Sequence, residues 1–373
     1  MKILLINPPF YRFFGSHYNG MHLGLSYLAS QSKLDGDDPV IYNADFGNGL
    51  LTQEQLFENK SNFDNDNIYQ EIEDTIIDQA PDLVGVTVTT PVYMVAKRIE
   101  KICHKLGVSS IFGGPHVILK RGFGTSFDTQ LINEMRLTPD RECYLQDVDV
   151  DQIITAFGCP NDCIFCASKR LRPRMMLRSV PDIIAELKGM KKLTDNVHFV
   201  DDTFTVVKNR TIDICNQMPD LKWICDTRLD RIDLQLLKVM KQSGCERIKV
   251  GVESGADRIL KSIGKNMTVD IVRSKVDQIK KADIPFTVYL MIGFPGEDDS
   301  DVQSTIDLAK ELEADYYSLS VLTPYPGTRL YDEGVKLNGH NHQTKKMLLT
   351  DKISDDMLNK FLRINLDYGK GLR

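Results

Sequence analysis

Three cysteines lie close together in the segment "GCPNDCIFC", residues 158–166: Cys159, Cys163 and Cys166. Thiolates are ligands for zinc and for iron–sulfur clusters, and sites of both kinds usually have four of them. Three thiolates on one loop can hold three irons of a cubane and leave the fourth iron open to an outside molecule. A structural zinc with a distant fourth ligand is the alternative.

Five further cysteines are scattered along the chain, and any of them could supply a fourth ligand: Cys103, Cys143, Cys215, Cys225 and Cys245. None belongs to the short loop, and the last three lie in or beside helix and strand patterns, where cysteine is usually a small buried hydrophobe. Eight cysteines in so long a chain do not make a disulfide scaffold, so a reducing cytoplasm is the expected location.

Length and charge limit the class of protein. A chain of 373 residues is too long for one ordinary core, so two domains are expected. The net charge of -6 gives no reason to expect a nucleic-acid partner. No apolar run approaches 18 residues, so no membrane span is expected, and the short apolar N-terminus does not resemble a signal peptide.

The elements that must position the cysteines form two α/β series. The first series has β-rich runs at 2–8, 39–45, 83–90 and 109–115, separated by helical patterns. This alternation predicts a parallel sheet covered on both faces, in a domain over residues 1–120. Residues 121–150 lack periodicity and are predicted to be a linker.

The second series contains six strand–helix steps over residues 151–335. Its predicted strands share a β-rich core followed by polar or glycine-rich residues: 152–158, 196–204, 222–230, 247–255, 286–297 and 316–328. Six such steps predict a partial (β/α)6 barrel, whose strand ends form the face on which sites are built. The cysteine loop follows the first of these strands. Residues 336–373 are predicted to be a short helical region.

The motifs together resemble the radical S-adenosylmethionine (SAM) superfamily. "CPNDCIFC" is similar to its cluster loop, and "FVDDTFT", "GVESG", "MIGFPGE" and "TPYPGT" follow in the order found in members with an N-terminal cobalamin-binding domain. The similarity covers residues 1–118 and 150–332. It implies an α/β fold with an N-terminal Rossmann-like parallel sheet of the cobalamin-binding type, followed by a radical SAM partial barrel.

The resemblance implies a [4Fe-4S] cluster on the three loop cysteines. SAM would chelate the open iron, and one electron would cleave it to a 5′-deoxyadenosyl radical. No catalytic side chain is assigned, but the resemblance implies a set of SAM contacts: Phe165, Asp201, Asp202, Arg228, Glu253, Ser254, Gly293, Pro295 and Tyr325.

Several of these residues have an ordinary structural alternative. Asp202 could cap the helix that begins near Lys208. Arg228 could form an ion pair with Asp226 or Asp230. The glycines of "GFPGE" could form a plain turn, and Phe165 could belong to the core.

For the first domain the resemblance implies cobalamin contacts at the strand ends: Asn7, Thr87, Thr89, Thr90, Gly113 and Gly114. Other cobalamin proteins use D-x-H-x-x-G, whose histidine binds cobalt. Here "GSHYNG" has Gly15 in the place of the aspartate, so His17 lacks the usual orienting partner. Base-off cobalamin without a protein histidine is therefore expected. A further strand usual in related chains has no convincing counterpart in residues 118–150.

Three function classes compete. The first is a cobalamin-dependent radical methyltransferase that acts on an unactivated carbon. The second is a radical SAM cyclase, oxidase or rearrangement enzyme, with cobalamin in another role or absent. The third, a non-enzymatic module, is disfavoured by the intact motifs. The expected partners are a small or extended substrate between the two domains and an electron donor such as flavodoxin or ferredoxin.

Overall fold

The computed structural model describes residues 1–48, 62–120, 137–331 and 350–370. The described chain divides into two compact units, the first built from Met1–Val150 and the second from the described residues after Val150. No helix in these ranges is long and apolar enough to cross a membrane.

The first unit contains a four-stranded parallel sheet in the order β2-β1-β3-β4. Its strands are β1 (Lys2–Asn7), β2 (Asp38–Asn43), β3 (Leu83–Thr87) and β4 (Ser109–Gly113). The helices described between and after them are α1 (Leu23–Leu34), α2 (Asp66–Gln79), α3 (Tyr93–Leu106) and α4 (Pro115–Lys120). The predicted α/β architecture of this part is confirmed.

The helix α3 shows why the sequence folds this way. Val95, Ile99 and Ile102 recur at helical spacing, and all three are buried against the sheet. Gly107 ends the helix with φ of 68°, a left-handed conformation that glycine adopts at little cost. The strand order changes direction between β1 and β3, which places a topological switch point at the carboxyl ends of these two strands.

The segment 137–150 belongs to the first unit, where the sequence predicted part of a linker. The Tyr144 hydroxyl donates to the carbonyl of His22 at 3.3 Å and lies 3.0 Å from the Ser26 hydroxyl. Gln146 exchanges hydrogen bonds with the backbone of Asn43 on β2. These polar contacts, which hydrophobic periodicity cannot reveal, attach the segment to the sheet edge. The rest of the predicted linker, 121–136, lies outside the described residues.

The second unit contains a six-stranded parallel sheet in the order β12-β11-β10-β9-β8-β5. Its strands are β5 (Gln152–Ile153), β8 (Asn196–Phe199), β9 (Lys222–Thr227), β10 (Cys245–Glu253), β11 (Phe286–Ile292) and β12 (Tyr316–Val321). A short antiparallel pair, β6 (Ala156–Phe157) and β7 (Met176–Leu177), lies apart from this sheet. Sequential neighbours that all run parallel are the arrangement of a partial (β/α)6 barrel.

Helices connect the strands and cover one face of this sheet. They are α5 (Ser168–Leu171), α6 (Val180–Met190), α7 (Lys208–Asn216), α8 (Leu234–Gln242), α9 (Asp257–Ser262), α10 (Val269–Lys281) and α11 (Asp299–Leu312). Two C-terminal helices, α12 (Asp355–Leu362) and α13 (Ile364–Tyr368), pack on the same unit, and the Asn365 side chain accepts the backbone N–H of Tyr317 on β12.

Burial alternates along the strands because neighbouring side chains point to opposite faces. On β11, Val288 and Leu290 are buried in the core under the helices, whereas Tyr289 and Met291 are only half-buried on the other face. The inner face is therefore partly open and carries side chains that can meet a ligand.

The predicted strand 152–158 is two short strands, with a bend at Thr155. The backbone N–H and the hydroxyl of Thr155 both donate to the buried Asp201 carboxylate, and Arg178 donates to the carbonyl of Ile154 at 2.8 Å. These bonds replace the lost ladder partners. The chain then leaves the sheet edge and enters the cysteine loop.

Candidate active site

The cysteine loop begins directly after β6. Gly158 has φ of 82°, and a Cβ there would lie 3.2 Å from the carbonyl oxygens of both Arg172 and Arg174. Ile164 in the middle of the loop donates its N–H to Ile263 and accepts one from Leu330. Glycine at the entrance and two backbone bonds in the middle thus fix the path that separates the three thiols.

Each thiol has its own polar donor. Cys159 Sγ accepts from Asn161 Nδ2 at 3.2 Å, Cys163 Sγ from Arg228 Nη1 at 3.5 Å, and Cys166 Sγ from the backbone N–H of Ser168 at 3.4 Å. Donors directed at sulfur stabilise thiolates and tune the potential of an iron–sulfur cluster. The donor set therefore fits a cluster held by the three cysteines.

The surroundings of Cys166 disfavour its thiolate in the absence of a positive partner. Desolvation raises the pKa of the Cys166 thiol to about 11, and the charges of Asp202, Cys163 and Cys159 raise it as well. Binding to a cationic metal centre reverses this balance, because a coordinating thiol is deprotonated by the metal.

The remaining cysteines do not join the loop. Cys215, Cys225 and Cys245 are buried in the core of the second unit, and burial raises the pKa of each thiol. Across the four described ranges no three His, Cys, Asp or Glu side chains form a group that could hold a single metal ion. Because Cys215, Cys225 and Cys245 lie in the core, these three cysteines do not supply a fourth zinc ligand at the loop.

Arg228 is buried at the end of β9, beside the cysteine loop. Its Nε and Nη2 donate to Asp230 at 2.8 and 3.2 Å, and Nη2 also donates to the carbonyl of Lys265 at 2.8 Å. The ion-pair alternative is therefore realised with Asp230. The guanidinium uses its fork within the protein and directs Nη1 at Cys163, and its predicted contact with the SAM carboxylate stays a prediction.

The two adjacent aspartates after β8 have different environments. Asp201 is buried with both oxygens bonded to Thr155, and burial raises its pKa to about 6. The Asp201 carboxylate holds the bend before the loop, and its predicted contact with SAM stays a prediction. Asp202 is exposed and accepts from the hydroxyl of Ser168 at 2.6 Å, beside Cys166. It does not cap α7, whose N-cap is Val207.

Glu253 and Ser254 lie at the end of β10, where the register shifts between Gly251 and Glu253. Glu253 has φ of 73° and accepts from Lys265 Nζ at 2.7 Å in a buried ion pair. A Cβ on Gly251 would lie 2.3 Å from the Glu253 carboxylate and 2.6 Å from Lys265 Nζ, so a larger residue there would displace this pair. Ser254 is fully buried and accepts the N–H of Ala256. Both predicted ribose contacts are thus bonded within the protein.

The segment after β11 forms a tight turn, which was the structural alternative for "GFPGE". Gly293 has φ of 97°, and the N–H groups of Gly293 and Phe294 donate to Glu297 Oε2 at 2.6 and 3.0 Å. Pro295 is exposed at its tip. Phe165 is half-buried with its ring centroid 5.8 Å from that of Phe294. Tyr325 is half-buried, and its carbonyl accepts from Thr328 after β12.

Glu297 makes the stability of this unit depend on pH. Burial raises its pKa from 4.5 to about 7, so the folded state holds the proton more tightly than the unfolded state. The contribution of Glu297 to the free energy of unfolding is fully present below pH 4.5 and is lost as the pH rises to about 7. The loss is at most about 3 kcal/mol. We expect the free energy of unfolding of Glu297→Gln to fall less with rising pH than that of wild type. The quantity compared is the difference between the two free energies at each pH.

The measurement is urea unfolding at several pH values, monitored by the fluorescence of Trp223, the single tryptophan and a buried residue of this unit. Asp201 also lowers the free energy of unfolding as the pH rises, but it does so equally in wild type and Glu297→Gln and therefore cancels in their difference. Parallel stability curves for wild type and Glu297→Gln would contradict the assignment.

Sequence reasoning missed a polar network on the inner face of the sheet. Asp226 of β9 accepts from the Tyr289 hydroxyl of β11 at 2.5 Å and lies 3.0 Å from His198 Nε2 of β8. Lys249 Nζ of β10 is 3.3 Å from the same nitrogen. His198 and Lys249 are on strands about 10 Å apart, so the side chains converge across a concave face. These residues are spaced far apart in the sequence and form no motif.

In the first unit the predicted cobalamin residues gather at adjacent strand ends. Asn7 ends β1 and donates to Asn43 at 2.9 Å, and Thr87 pairs in register with Gly113. A Cβ on Gly114 would lie 2.9 Å from both Thr87 Oγ1 and the backbone nitrogen of Val88. This glycine is required by the close approach of β3 and β4 themselves.

Three other residues lie near this edge. Thr89 follows β3 and is exposed, whereas the Thr90 hydroxyl is 3.0 Å from Nδ1 of the buried His116. His17 is half-buried after the turn Tyr11–Phe14. The exposed side chain of Thr89 is therefore the one predicted contact that can be enlarged without disturbing a buried hydrogen bond.

Part of the second unit matches a known family model. Residues 153–309 match the family model of the Radical SAM superfamily. The chain is 29% identical to an uncharacterized methyltransferase of Pyrococcus horikoshii, with 91% of this chain and 84% of that protein covered. It is 21% identical to the anaerobic magnesium-protoporphyrin IX monomethyl ester cyclase of Rubrivivax gelatinosus, with 89% and 70% covered.

Solved structures extend the likeness to both units. The radical S-adenosylmethionine methyltransferase TsrM from Kitasatospora setae superimposes with a TM-score of 0.65 at 15% identity, covering 88% of this chain and 75% of that chain. The cobalamin-dependent S-adenosylmethionine radical enzyme OxsB gives a TM-score of 0.59 at 16% identity, covering 85% and 53%. At these identities the likeness is one of fold.

Proposed function

We propose that this chain is a cobalamin-dependent radical methyltransferase, since residues 153–309 match the family model of the Radical SAM superfamily. The observation that carries the proposal is the loop of Cys159, Cys163 and Cys166 after β6, with a separate donor for each sulfur. A [4Fe-4S] cluster at this loop supplies one-electron cleavage of SAM when SAM is bound.

The protein contributes position and electrostatics. Asn161, Arg228 and the Ser168 N–H stabilise the thiolates. Of the predicted SAM contacts, we give priority to five: Phe165, Asp202, Gly293, Pro295 and Tyr325. The other four are bonded within the protein and stay predictions: Asp201, Arg228, Glu253 and Ser254. The exposed Asp202 carboxylate suits an ammonium group, and the Gly293 turn admits close approach of an adenine ring.

The four-stranded sheet of the first unit supports cobalamin binding. Nucleotide-like ligands bind outside the carboxyl ends of parallel strands at a topological switch point, and Asn7 and Thr87 end the two strands that flank it. Both solved relatives are cobalamin or methyl-transfer enzymes by name. We propose base-off cobalamin without a ligand from His17, since "GSHYNG" lacks the orienting aspartate. The cofactor would supply the transferable methyl group.

The test is product analysis of the reconstituted protein with SAM, a low-potential reductant and cobalamin. Methyl transfer predicts that S-adenosylhomocysteine and 5′-deoxyadenosine form together when the substrate is present. The runner-up is a radical cyclase or oxidase, favoured by the similarity to the anaerobic cyclase over 89% of this chain. 5′-Deoxyadenosine without S-adenosylhomocysteine would favour that alternative.

Replacement of Arg228 tests the electrostatic part of the proposal. Arg228→Ala removes a cation and an N–H donor 3.5 Å from Cys163 Sγ. The reduced cluster would carry one more negative charge than the oxidised cluster. It would therefore lose more electrostatic stabilisation when the Arg228 cation is removed. We expect the reduction potential to fall by about 40 mV, equivalent to about 1 kcal/mol for one electron. Redox titration followed by electron paramagnetic resonance measures the shift.

Arg231→Ala is the matched control, because this neighbouring arginine also lies in the turn after β9 and has no bond to a thiol among the described residues. Equal potentials for Arg228→Ala and wild type, combined with weaker SAM binding, would restore the predicted role of Arg228 as a SAM carboxylate ligand.

A further inference from the structure

Two cations on the inner face of the second unit lack an acidic partner. Arg247 and Lys249 are two residues apart on β10, so their side chains leave the same face, opposite to the buried Ile248 and Val250. Neither forms a salt bridge with any described residue. The Nε atom of Arg247 is buried and has no hydrogen-bond partner there. Such atoms are rare, because buried polar groups are almost always bonded.

The neighbouring acids are already engaged. Glu253 pairs with Lys265, and Asp230 pairs with Arg228. Among the described residues of the strands, Asp226 is the remaining carboxylate on this face, and β11 and β12 carry no charged residue. Two cations against one carboxylate leave a surplus of one positive charge on the inner face.

The charge of the Asp226 carboxylate holds Lys249 near this network. The Tyr289 hydroxyl and His198 Nε2 both contact Asp226. Among the described residues, Lys249 Nζ lies 3.3 Å from the same His198 Nε2, and this nitrogen cannot donate to Asp226 and accept from Lys249 at once. Burial alone would raise the pKa of Asp226, but the contacts with His198 and Tyr289 and the charge of Lys249 hold it below its usual value. Asp226 is therefore ionised and fixes its neighbours, while the other N–H groups of Lys249 remain available.

The network is also open to a ligand. The side chains of His198 and Asp226 are 20% and 28% exposed, although both lie on the inner face of a sheet. Asp226 is in register with Lys249, and Arg228, which contacts Cys163, follows Asp226 by two residues. Two residues of strand span about 7 Å. A molecule anchored at Lys249 thus extends toward the cysteine loop.

We propose that Arg247 and Lys249 bind the carboxylate of a monoanionic substrate, and that His198, Asp226 and Tyr289 are positioning residues for Lys249. The planar guanidinium offers a fork that matches a carboxylate, and the ammonium adds a point charge. A surplus of one positive charge is balanced by a monoanion, whereas a phosphate dianion would be in excess and an amine would be repelled. This inference rests on the proposed function, in which the bound acid is the methyl acceptor.

The experiment compares benzoate with its neutral analogue benzamide. Binding to the reconstituted protein in the presence of SAM is measured by titration calorimetry and saturation-transfer NMR. We expect wild type to bind benzoate at least about tenfold more tightly than benzamide. Lys249→Met should reduce the benzoate affinity about tenfold and leave that of benzamide unchanged, and Lys249→Arg should restore most of the loss. Lys222→Met, at the exposed start of β9, is the matched control.

Equal affinities of wild type for benzoate and benzamide, or unchanged benzoate binding in both Lys249→Met and Arg247→Met, would overturn this proposal. Trp223 fluorescence verifies that each variant is folded, and Lys249→Gln with Arg247→Gln replaces any variant that is not. Formation of 5′-deoxyadenosine without added substrate is measured in parallel. Its absence in wild type would contradict the proposed function while leaving the benzoate result to decide the anion site.

Discussion

Cys163→Ala is expected to reduce SAM cleavage to the background rate. Cys163 lies in the middle of the loop, and its thiol is the one directed at the buried Arg228. Without this thiolate one iron of the proposed cluster would lack its protein ligand, and an incomplete cluster would neither hold SAM in place nor supply the electron. We expect iron to fall well below the four per chain of a complete cubane. Cys159→Ala and Cys166→Ala should have the same effect.

Cys103→Ala and Cys215→Ala are the matched controls. Both cysteines are buried, one in each unit, and each substitution removes only a sulfur atom from a hydrophobic core. The cost is about 1 kcal/mol of stability, with cleavage and iron content close to wild type. Normal SAM cleavage by Cys163→Ala would remove the basis of the proposed function. So would a result in which Cys103→Ala and Cys215→Ala lose SAM cleavage while the loop variants keep it.

Thr89→Trp is expected to reduce the cobalamin retained by the protein to about a tenth of the wild-type amount, or less. Thr89 is exposed directly after β3, beside the switch point of the first sheet, so an indole ring there occupies the space just outside the strand ends. The measurement is the corrinoid absorbance of protein purified after growth with cobalamin. Wild type should show a base-off spectrum, and His17→Ala should leave it unchanged.

Ser109→Trp supplies the control for this prediction. Ser109 is exposed at the opposite end of the same sheet, at the start of β4, and should tolerate tryptophan with no loss of cobalamin. Gly114→Leu is less informative, because a Cβ at this position already meets backbone atoms of Val88. Wild type without corrinoid absorbance would favour the cobalamin-free alternative.

The sequence predicted the strands of both sheets because apolar runs between helices identify parallel strands. It placed several strand ends too late. The predicted strands 286–297 and 316–328 end at Ile292 and Val321, since the residues that follow form turns around Gly293 and Gly327, both with positive φ. A motif marks the end of a strand but does not tell where the hydrogen-bonded ladder stops.

The site was predictable where one local segment carries it and not where distant residues meet. The three cysteines are read directly from their spacing. The difference between Asp201 and Asp202 depends on Thr155, which lies 46 residues before Asp201. Nothing in the sequence indicates that Thr155 binds this carboxylate. Glu253 is turned toward Lys265 by a bulge in β10. The network of His198, Asp226, Lys249 and Tyr289 needs four strands to be in register.

The central claim is that the three-cysteine loop holds a cluster with one open iron. Electron paramagnetic resonance of the reduced, reconstituted protein tests it most directly, with spectra recorded before and after SAM is added. Chelation by SAM would change the ligands of the proposed open iron, so the account predicts a shift of the cluster signal on addition of SAM. A four-iron signal that is identical with and without saturating SAM would contradict the account.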